Sequence, residues 1–282
     1  MPAVSYADIG KKVKGLLGGD AVTGTFILNP KLTVSSTTQS GVALTATAVQ
    51  KGEKLDATLK AAYTSPSKKY SVDATADPTV KIAVNASVSD VAPGLKLTAA
   101  VVLPDPAASA KLTAEYANAS LSVKSTVSLS ASPVVDVAVA SSVKGVLLGG
   151  ETAYDSGKAD ITKYNFVLGY HATDFQATAT LADQLSTLKL AYAQVLSPAA
   201  IAGAELSRTL GGADAGASSF ALAYARNLAG GAVAKVKLDS AGTLSALYSR
   251  KLSTGEKFTG SLQLQAADLS KAPKYGFALD LA

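Results

Sequence analysis

The sequence has no cysteine and a single histidine, His171, among its 282 residues. The absence of cysteine excludes disulfides and thiolate metal sites. With one histidine and no thiolate, a zinc site cannot be built either, so we expect no metal. No serine lies in a G-x-S-x-G nucleophile elbow, and His171 falls in a predicted hairpin turn. We therefore expect neither an enzyme nor an obligatory cofactor.

Long hydrophobic runs are also missing. Hydrophobic residues make up 48% of the chain, yet no stretch of 18 consecutive apolar residues occurs, so we predict no membrane-spanning helix. The first ten residues lack the apolar core of a secretory signal, and we expect none. The apolar residues are instead spaced singly, as is typical of strands with one lipid-facing side and one wet side.

Apolar and polar residues alternate with a period of two from about residue 22 onward. Leu55 and Leu59, for example, fall on one side of a strand whose other side carries Lys54 and Lys60. A protein built of such strands must protect the edges of its sheet, and closure into a barrel removes them. The same alternation is found in residues 95–101, 175–181, 188–192, 235–238 and 274–281.

The spacing of the turns predicts the number of strands. Turn signals such as Pro93-Gly94 and Gly230-Gly231 recur at intervals of about 10 to 15 residues. Roughly 260 residues at about 13 or 14 per strand and turn give about 19 strands. A strand of about 10 residues, tilted by about 45°, spans roughly 24 Å, which matches the apolar band of a membrane barrel. We predict an all-β transmembrane barrel over residues 22–282.

The N-terminus differs from this pattern. Ile9, Val13, Leu16 and Leu17 form one stripe of a helix within residues 6–17. Gly18-Gly19 then ends the helix and can act as a hinge. Residues 1–21 are therefore predicted to be a short amphipathic helix with its glycine hinge. Such a helix could lie on a membrane, plug a pore, cap a barrel end, or pack as a surface helix on a core.

Several short motifs occur in a recognisable order. They are Tyr6-Ala7-Asp8-Ile9-Gly10-Lys11, the triplet Gly94-Leu95-Lys96, the central segment 165–176, and residues 234–247. In this order and spacing, the chain resembles the mitochondrial voltage-dependent anion channels, the eukaryotic porin family, in a plant-like form. The resemblance extends along the whole chain, and in that family the Gly-Leu-Lys triplet is associated with nucleotide passage.

The C-terminus adds a second likeness. Lys274, Gly276, Leu279 and Leu281 fit the family's mitochondrial β-signal, in which a polar residue, a glycine and two hydrophobic residues have fixed spacing. The resemblance implies a 19-stranded barrel that carries the helix inside its lumen, with the first and last strands parallel. Lys14-Gly15 stands where many relatives have an Arg-Asp pair, so the salt bridge of those relatives is not implied here. Around Val72, Asp73 and Ala74 the sequence does not match the membrane-facing glutamate of some animal members of the family. Regulation that depends on that carboxylate is therefore not implied.

The formal net charge is +5. The lysines are scattered along the chain, which argues against a nucleic-acid-binding tail. One interpretation is that the lysines opposite the apolar side only keep a pore wet. The other is that they make the lumen positive and weakly favour anions, because rings of basic side chains attract anions and salt screens them. The predicted selectivity residues are Lys11, Lys12, Lys14, Lys96, Lys235 and Lys237.

The resemblance implies a voltage-dependent, weakly anion-selective diffusion channel of the mitochondrial outer membrane. Its expected partners are the lipid bilayer and small anions and metabolites such as ATP, ADP, phosphate and organic acids. A homo-oligomer and cytosolic docking proteins are compatible with this function. The alternatives are the protein-import pore of the sister barrel family, which should have an acidic lumen, and a non-transport β scaffold, which should purify without detergent.

Overall fold

The computed structural model describes residues 3–212, 214–252 and 255–281, so residues 1, 2 and 282 at the ends of the two predicted domains lie outside the described residues. No helix in these ranges is long and apolar enough to cross a membrane. The helical elements are a 3-10 turn at Tyr6–Asp8, α1 at Lys11–Leu17, α2 at Pro106–Ser109 and a 3-10 turn at Ala229–Gly231.

Strands make up the rest of the regular structure. The first half contains β1 Gly19–Asp20, β2 Gly24–Thr25, β3 Lys31–Thr37, β4 Val42–Lys51, β5 Lys54–Thr64, β6 Tyr70–Ala76, β7 Ile82–Ser89, β8 Leu95–Leu103, β9 Lys111–Ala117 and β10 Leu121–Ser128. The second half contains β11 Val134–Val143, β12 Val146–Asp155, β13 Asp160–His171, β14 Phe175–Ala182, β15 Thr187–Ser197, β16 Ala200–Thr209, β17 Ser218–Asn227, β18 Val233–Asp239, β19 Thr243–Lys251, β20 Lys257–Gln265 and β21 Lys274–Leu281.

The sheet topology is that of a closed barrel. The short strands β1 and β2 pair with each other, and β3 to β21 follow one another in the order of the sequence until β21 lies next to β3. These 19 strands confirm the predicted all-β barrel and its strand number.

By their contacts, the described residues fall into two compact units. One lies within Met1–Ile9, Val34–Thr47 and Asp56–Val167, and the other lies within Gly10–Thr33, Ala48–Leu55 and Leu168–Ala282.

The two sides of each strand differ in the way the sequence predicts. Along β17, Leu222 is 48% exposed, whereas the next residue, Ala223, is 7% exposed. We call the side with large exposed apolar residues the apolar face. The opposite side carries small and polar residues, and many of these are buried because the N-terminal segment, residues 3–29, packs on them. We call this side the segment face.

The N-terminal helix is shorter than the predicted span of residues 6–17. Gly10 adopts a left-handed conformation with φ of 77°, which separates the 3-10 turn at Tyr6–Asp8 from α1. The helical stripe is nevertheless buried: Ile9, Val13, Leu16 and Leu17 have almost no exposed area. Packing on the strands, rather than helix propensity, therefore stabilises this seven-residue helix.

Candidate functional site

Helix α1 packs on strands β15 to β17. Val13, Leu16 and Leu17 form a buried cluster with Ala193, Ala223 and Ala225 of the segment face. Small side chains on the strands allow the helix to approach closely. A close approach occurs at Gly203, where an added Cβ would lie 2.8 Å from Cδ2 of Leu16. A hydrogen bond of 3.2 Å, donated by the backbone amide of Lys12 to the side-chain Oε1 of Gln176, also attaches the start of α1 to β14.

The residues before α1 pack on a different set of strands. Ile9 is buried against Ala140, Leu147 and Val167. Gly149 of β12 provides the space for this contact, because a Cβ there would lie within 3 Å of both Tyr6 and Ile9. The first described residue is also attached: the amide of Ala3 donates a 2.7 Å hydrogen bond to the carbonyl of Asn118.

A polar contact fixes Tyr6 beside β12. The Tyr6 hydroxyl hydrogen-bonds the carboxylate of Glu151, and burial, followed by the charge of Glu151, raises the pKa of Tyr6. Glu151 also accepts a 2.6 Å hydrogen bond from Asn165 and forms a 2.9 Å ion pair with Lys163. The carboxylate is thus fully engaged, and Tyr6 stays protonated and able to donate at neutral pH.

Charged residues of alternating sign form a row across β8 to β12. Successive strands pair in register through Lys96, Glu115, Lys124, Ala138 and Glu151. Lys124 and Glu115 form a 2.7 Å ion pair. Lys96 is exposed beside the same carboxylate. Together with residues 3–8, the row lines a cavity of about 750 Å³. We call Lys96, Glu115, Lys124, Ala138 and Glu151 the charge row.

Lys235 occupies a position unlike that of the other lysines. Its side chain is only 1% exposed, although the sequence predicts that it should point into water. Its ammonium donates to the carbonyl oxygens of Gly15 at 3.0 Å and Gly24 at 2.8 Å, and to the hydroxyl of Thr23 at 3.4 Å. It also lies 4.7 Å from the centroid of the Phe26 ring. The alternation with a period of two correctly predicts the side of β18 on which Lys235 lies, opposite the apolar face. It does not predict that the N-terminal segment covers Lys235.

The segment from Gly15 to Asn29 follows one line of the sheet. Strands β17 to β21 pair in register through Ala225, Lys235, Leu247, Ser261 and Gly276. The segment contacts each of these positions in turn. Ala225 packs in the cluster that includes Leu17, and Lys235 binds the carbonyls described above. We call these five strand residues the anchor row.

The later contacts of the anchor row are equally specific. Leu247 lies against Gly24, because a Cβ on this glycine would be 3.0 Å from Cδ2 of Leu247. Ser261 accepts a 3.0 Å hydrogen bond from the amide of Ile27. A Cβ on Gly276 would lie 2.5 Å from the amide nitrogen of Asn29. Gly276 therefore has a packing role in addition to the role predicted for it in the β-signal.

The remaining predicted site residues lie in α1, at its C-terminal end, in the hairpin that follows it, in β18 and in β21. Lys11 and Lys14 of α1 are exposed, and Lys12 and Lys237 are half-buried. Gly18 ends α1, since its amide donates to the carbonyl of Lys14 at 2.8 Å. Gly19 pairs with Thr25 in the short hairpin, where a Cβ would lie 2.7 Å from the Thr25 Cα. Lys274, Gly276, Leu279 and Leu281 all belong to β21.

Sequence reasoning missed the carboxylates. Glu115 and Glu151 each lie at the correct phase for the segment face, but a period of two does not give the register between strands. The pairing of Lys124 with Glu115 could be found only once β9 and β10 were aligned. Gly149 and Gly203 were missed because a glycine inside a strand shows that something approaches closely without showing what.

A closed barrel whose strands expose large apolar residues on one side and carry charged residues on the other has the features of a channel-forming β-barrel. The family profile described as eukaryotic porin matches residues 3–276. The chain therefore belongs to the eukaryotic porin family. It is a channel protein of the mitochondrial outer membrane and not an enzyme.

Curated relatives are plant proteins of similar length. The chain is 30% identical to mitochondrial outer membrane protein porin 5 of Oryza sativa subsp. japonica, with 98% of this chain and 96% of that protein covered. It is 25% identical to porin 4 of Arabidopsis thaliana, with coverage of 98% and 97%. Among solved structures, a mutant of Rh. blastica porin is 14% identical over 79% of this chain and 88% of that one, with a TM-score of 0.47.

Proposed function

We propose that residues 22–282 form a voltage-dependent, weakly anion-selective diffusion pore, and that residues 1–21 form a helix and hinge inside its lumen. The observation that carries this proposal is the difference between the two faces. Large apolar side chains such as Leu222 are exposed on one face, while α1 packs on the other at Ala223. If the apolar face meets lipid, the segment face meets the water of the pore.

The energetics of lysine support this assignment. A lysine on the lipid side of a barrel costs about 2–4 kcal/mol at the bilayer midplane. Lys96 and Lys124 lie in the charge row of the segment face, and Lys237 pairs with Ala223 on that face. The opposite assignment would bury these charges in lipid and expose the apolar residues to water.

The proposed selectivity residues are Lys11, Lys12, Lys14, Lys96 and Lys237, with Lys235 acting through the position of the segment. Anion preference should be weak, because Glu115 and Glu151 offset nearby lysines and the Debye length is only about 8 Å at physiological salt. The proposed solutes are ATP, ADP, phosphate and organic acids. Each carboxylate of the charge row is paired with a lysine, so this row does not provide the acidic lining expected of an import pore.

Several further proposals concern the cell. We propose that Lys274, Gly276, Leu279 and Leu281 act as the assembly signal, and that the channel can form homo-oligomers and dock cytosolic proteins. Voltage dependence would arise when the lysine-bearing segment moves through part of the field, since each charge gains about 2.3 kcal/mol per 100 mV. Gly18 and Gly19 are the proposed hinge for that movement.

The decisive experiment is reconstitution of the purified chain into planar bilayers. We expect large stepwise conductance, a mild preference for anions in a salt gradient, and a fall in conductance at high voltage of either polarity. A chain that stays soluble without detergent and gives no steps would overturn the proposal. A stepwise but cation-selective conductance would retain the pore and overturn the assigned role of the lysines.

A further inference from the structure

Arginine is rare in this chain and is confined to one kind of position. The three arginines are Arg208 in β16, Arg226 in β17 and Arg250 in β19, whereas the other 23 basic residues are lysines. Arg226 is in phase with the exposed Leu222, and Arg250 is in phase with the exposed Tyr248. All three arginines therefore lie on the apolar face, each close to an end of its strand, while the lysines of the charge row lie on the segment face.

Arg226 and Arg250 lie at the same end of β17 and β19, which are separated by β18. Arg226 pairs with Ala234, and Ala234 pairs with Tyr248, which is two residues from Arg250. Two strand spacings amount to about 10 Å, which long arginine side chains can bridge. The guanidinium of Arg250 reaches the connection between β17 and β18, since a Cβ on Gly230 would lie 4.0 Å from its Nη2. Both side chains are exposed, and neither forms an ion pair with another described residue.

An apolar groove begins next to these arginines. It has a volume of about 420 Å³ and is lined by Tyr192, Ala202, Ala204, Leu222 and Tyr224, among others. Ala202 and Ala204 of β16 form a low floor, because their partners across the sheet are the larger Tyr224 and Leu222. The next pair along the same two strands joins Ala200 and Arg226. The groove therefore ends one same-face pair before Arg226.

We propose that this surface binds one anionic phospholipid, with its phosphate on Arg226 and Arg250 and an acyl chain in the groove. This inference depends on the proposed function, in which the apolar face meets lipid. A guanidinium binds phosphate through two parallel hydrogen bonds and is more weakly hydrated than an ammonium, so arginine suits a lipid headgroup better than lysine does. Long basic side chains near the end of a membrane strand also extend to the headgroup level.

The groove accounts for the acyl chain. Its walls are mainly aromatic and aliphatic, with Gln194 and Lys237 also in the lining, and its floor contains alanines. A hydrocarbon chain therefore fills a depression that would otherwise be poorly packed. Arg208 lies on the same face but at the opposite end of the pairing between β16 and β17, where it faces Ser218. Leu206 and Phe220, both exposed, separate it from the groove. Arg208 therefore supplies a matched control.

The test uses the purified full-length chain in detergent and native mass spectrometry. The probes are dioleoyl phosphatidylglycerol and dioleoyl phosphatidylcholine, which share acyl chains and differ in net charge. We expect one tightly bound phosphatidylglycerol, and an affinity about tenfold or more lower in the double variant Arg226→Gln and Arg250→Gln, because two charge-assisted contacts are lost. Arg208→Gln should leave the affinity unchanged, and Ala204→Phe should lower it by filling the groove.

Other outcomes would overturn the inference. Equal binding of the two lipids, or an equal effect of Arg208→Gln, would show that the site has no specific phosphate contact. If soluble glycerol phosphate displaced phosphatidylglycerol at a concentration equal to that of the lipid, the groove would contribute nothing to the affinity. Stepwise conductance is measured in parallel for every variant. If the steps persist while lipid selectivity is absent, this inference fails and the pore stands; loss of steps in the wild-type chain contradicts the proposed function itself.

Discussion

The ammonium of Lys235 lies 3.0 Å from the carbonyl oxygen of Gly15, a residue 220 positions earlier in the chain. The same ammonium binds the carbonyl of Gly24, so one side chain links α1 to the second strand of the short hairpin that follows it. A lysine at this place has a function that a pore-lining lysine lacks, because it determines where the N-terminal segment leaves the helix and enters the anchor row.

Replacement of this lysine should release the segment. In Lys235→Met, the buried carbonyl of Gly24 loses its ammonium donor, and that of Gly15 keeps only the 3.2 Å hydrogen bond from the Thr23 hydroxyl. A buried carbonyl left unsatisfied costs about 1–3 kcal/mol. We expect faster hydrogen–deuterium exchange of the amides in residues 11–25, measured by mass spectrometry in detergent. Lys235→Arg keeps the charge and several donors and should restore part of the protection.

Lys237→Met is the control for Lys235→Met. Lys237 lies on the same face and strand but is half-buried and does not contact the carbonyls of Gly15 or Gly24. Its replacement should lower anion preference slightly and leave the exchange of residues 11–25 as in the wild type. Equal exchange in both variants would show that the contacts of Lys235 do not hold the segment.

The docking of α1 depends on the space above Gly203. In Gly203→Ala, the new methyl group would lie 2.8 Å from Cδ2 of Leu16 and 3.0 Å from the carbonyl oxygen of Tyr192. One of these neighbours must move, and the side chain of Leu16 is the easier to displace, so helix docking should weaken by about 1–3 kcal/mol, as in overpacked cores. Limited proteolysis after Lys11, Lys12 or Lys14 measures the effect.

Gly150→Ala provides the comparison for Gly203→Ala. A Cβ at Gly150 would lie 3.4 Å from the Phe166 ring, an ordinary van der Waals contact on the apolar face. Proteolysis of the segment should therefore match that of the wild type. If Gly203→Ala is cleaved no faster than Gly150→Ala, the close contact between α1 and β16 is not needed for docking.

The charge row should set the sign of a selectivity change. Glu115→Gln removes the carboxylate between Lys96 and Lys124 and should increase anion preference, whereas Lys96→Gln should decrease it. The reversal potential in a salt gradient measures both. Each shift should be small and should shrink as salt is raised, because screening acts over a Debye length of about 8 Å at physiological ionic strength. Shifts of the same sign in both variants would contradict this role.

The strand pattern and strand number followed from the sequence because they depend on local chemistry. The period of two placed Lys235 and Val236 on opposite faces, and the spacing of turns predicted the 19 strands. The environment of Lys235 did not follow, because burial of this side chain depends on residues more than 200 positions away. Periodicity assigns a side chain to a face but does not show what covers that face.

The same limit explains the outcome for glycines and carboxylates. Gly276 was assigned from its place in a targeting motif, but its contact with residues 27–29 requires the pairing of β20 with β21 and the path of the N-terminal segment. Glu115 and Glu151 became partners of lysines only through interstrand register. Register is set by turns and by packing over the whole sheet, so local patterns alone do not predict it.

Gly276 allows the packing role to be separated from the signal role. In Gly276→Ala, a methyl group would lie 2.5–2.6 Å from backbone atoms of residues 27–29, and backbone cannot move aside as a flexible side chain can. We expect a lower yield of folded barrel when the purified chain is refolded into detergent micelles, a reaction that contains no assembly machinery. Gly260→Ala, whose Cβ would meet Phe258 at 3.5 Å, should refold like the wild type. Normal refolding of Gly276→Ala, together with failed insertion into isolated mitochondria, would assign this glycine to recognition alone and would remove the anchor row's last contact as a requirement for folding.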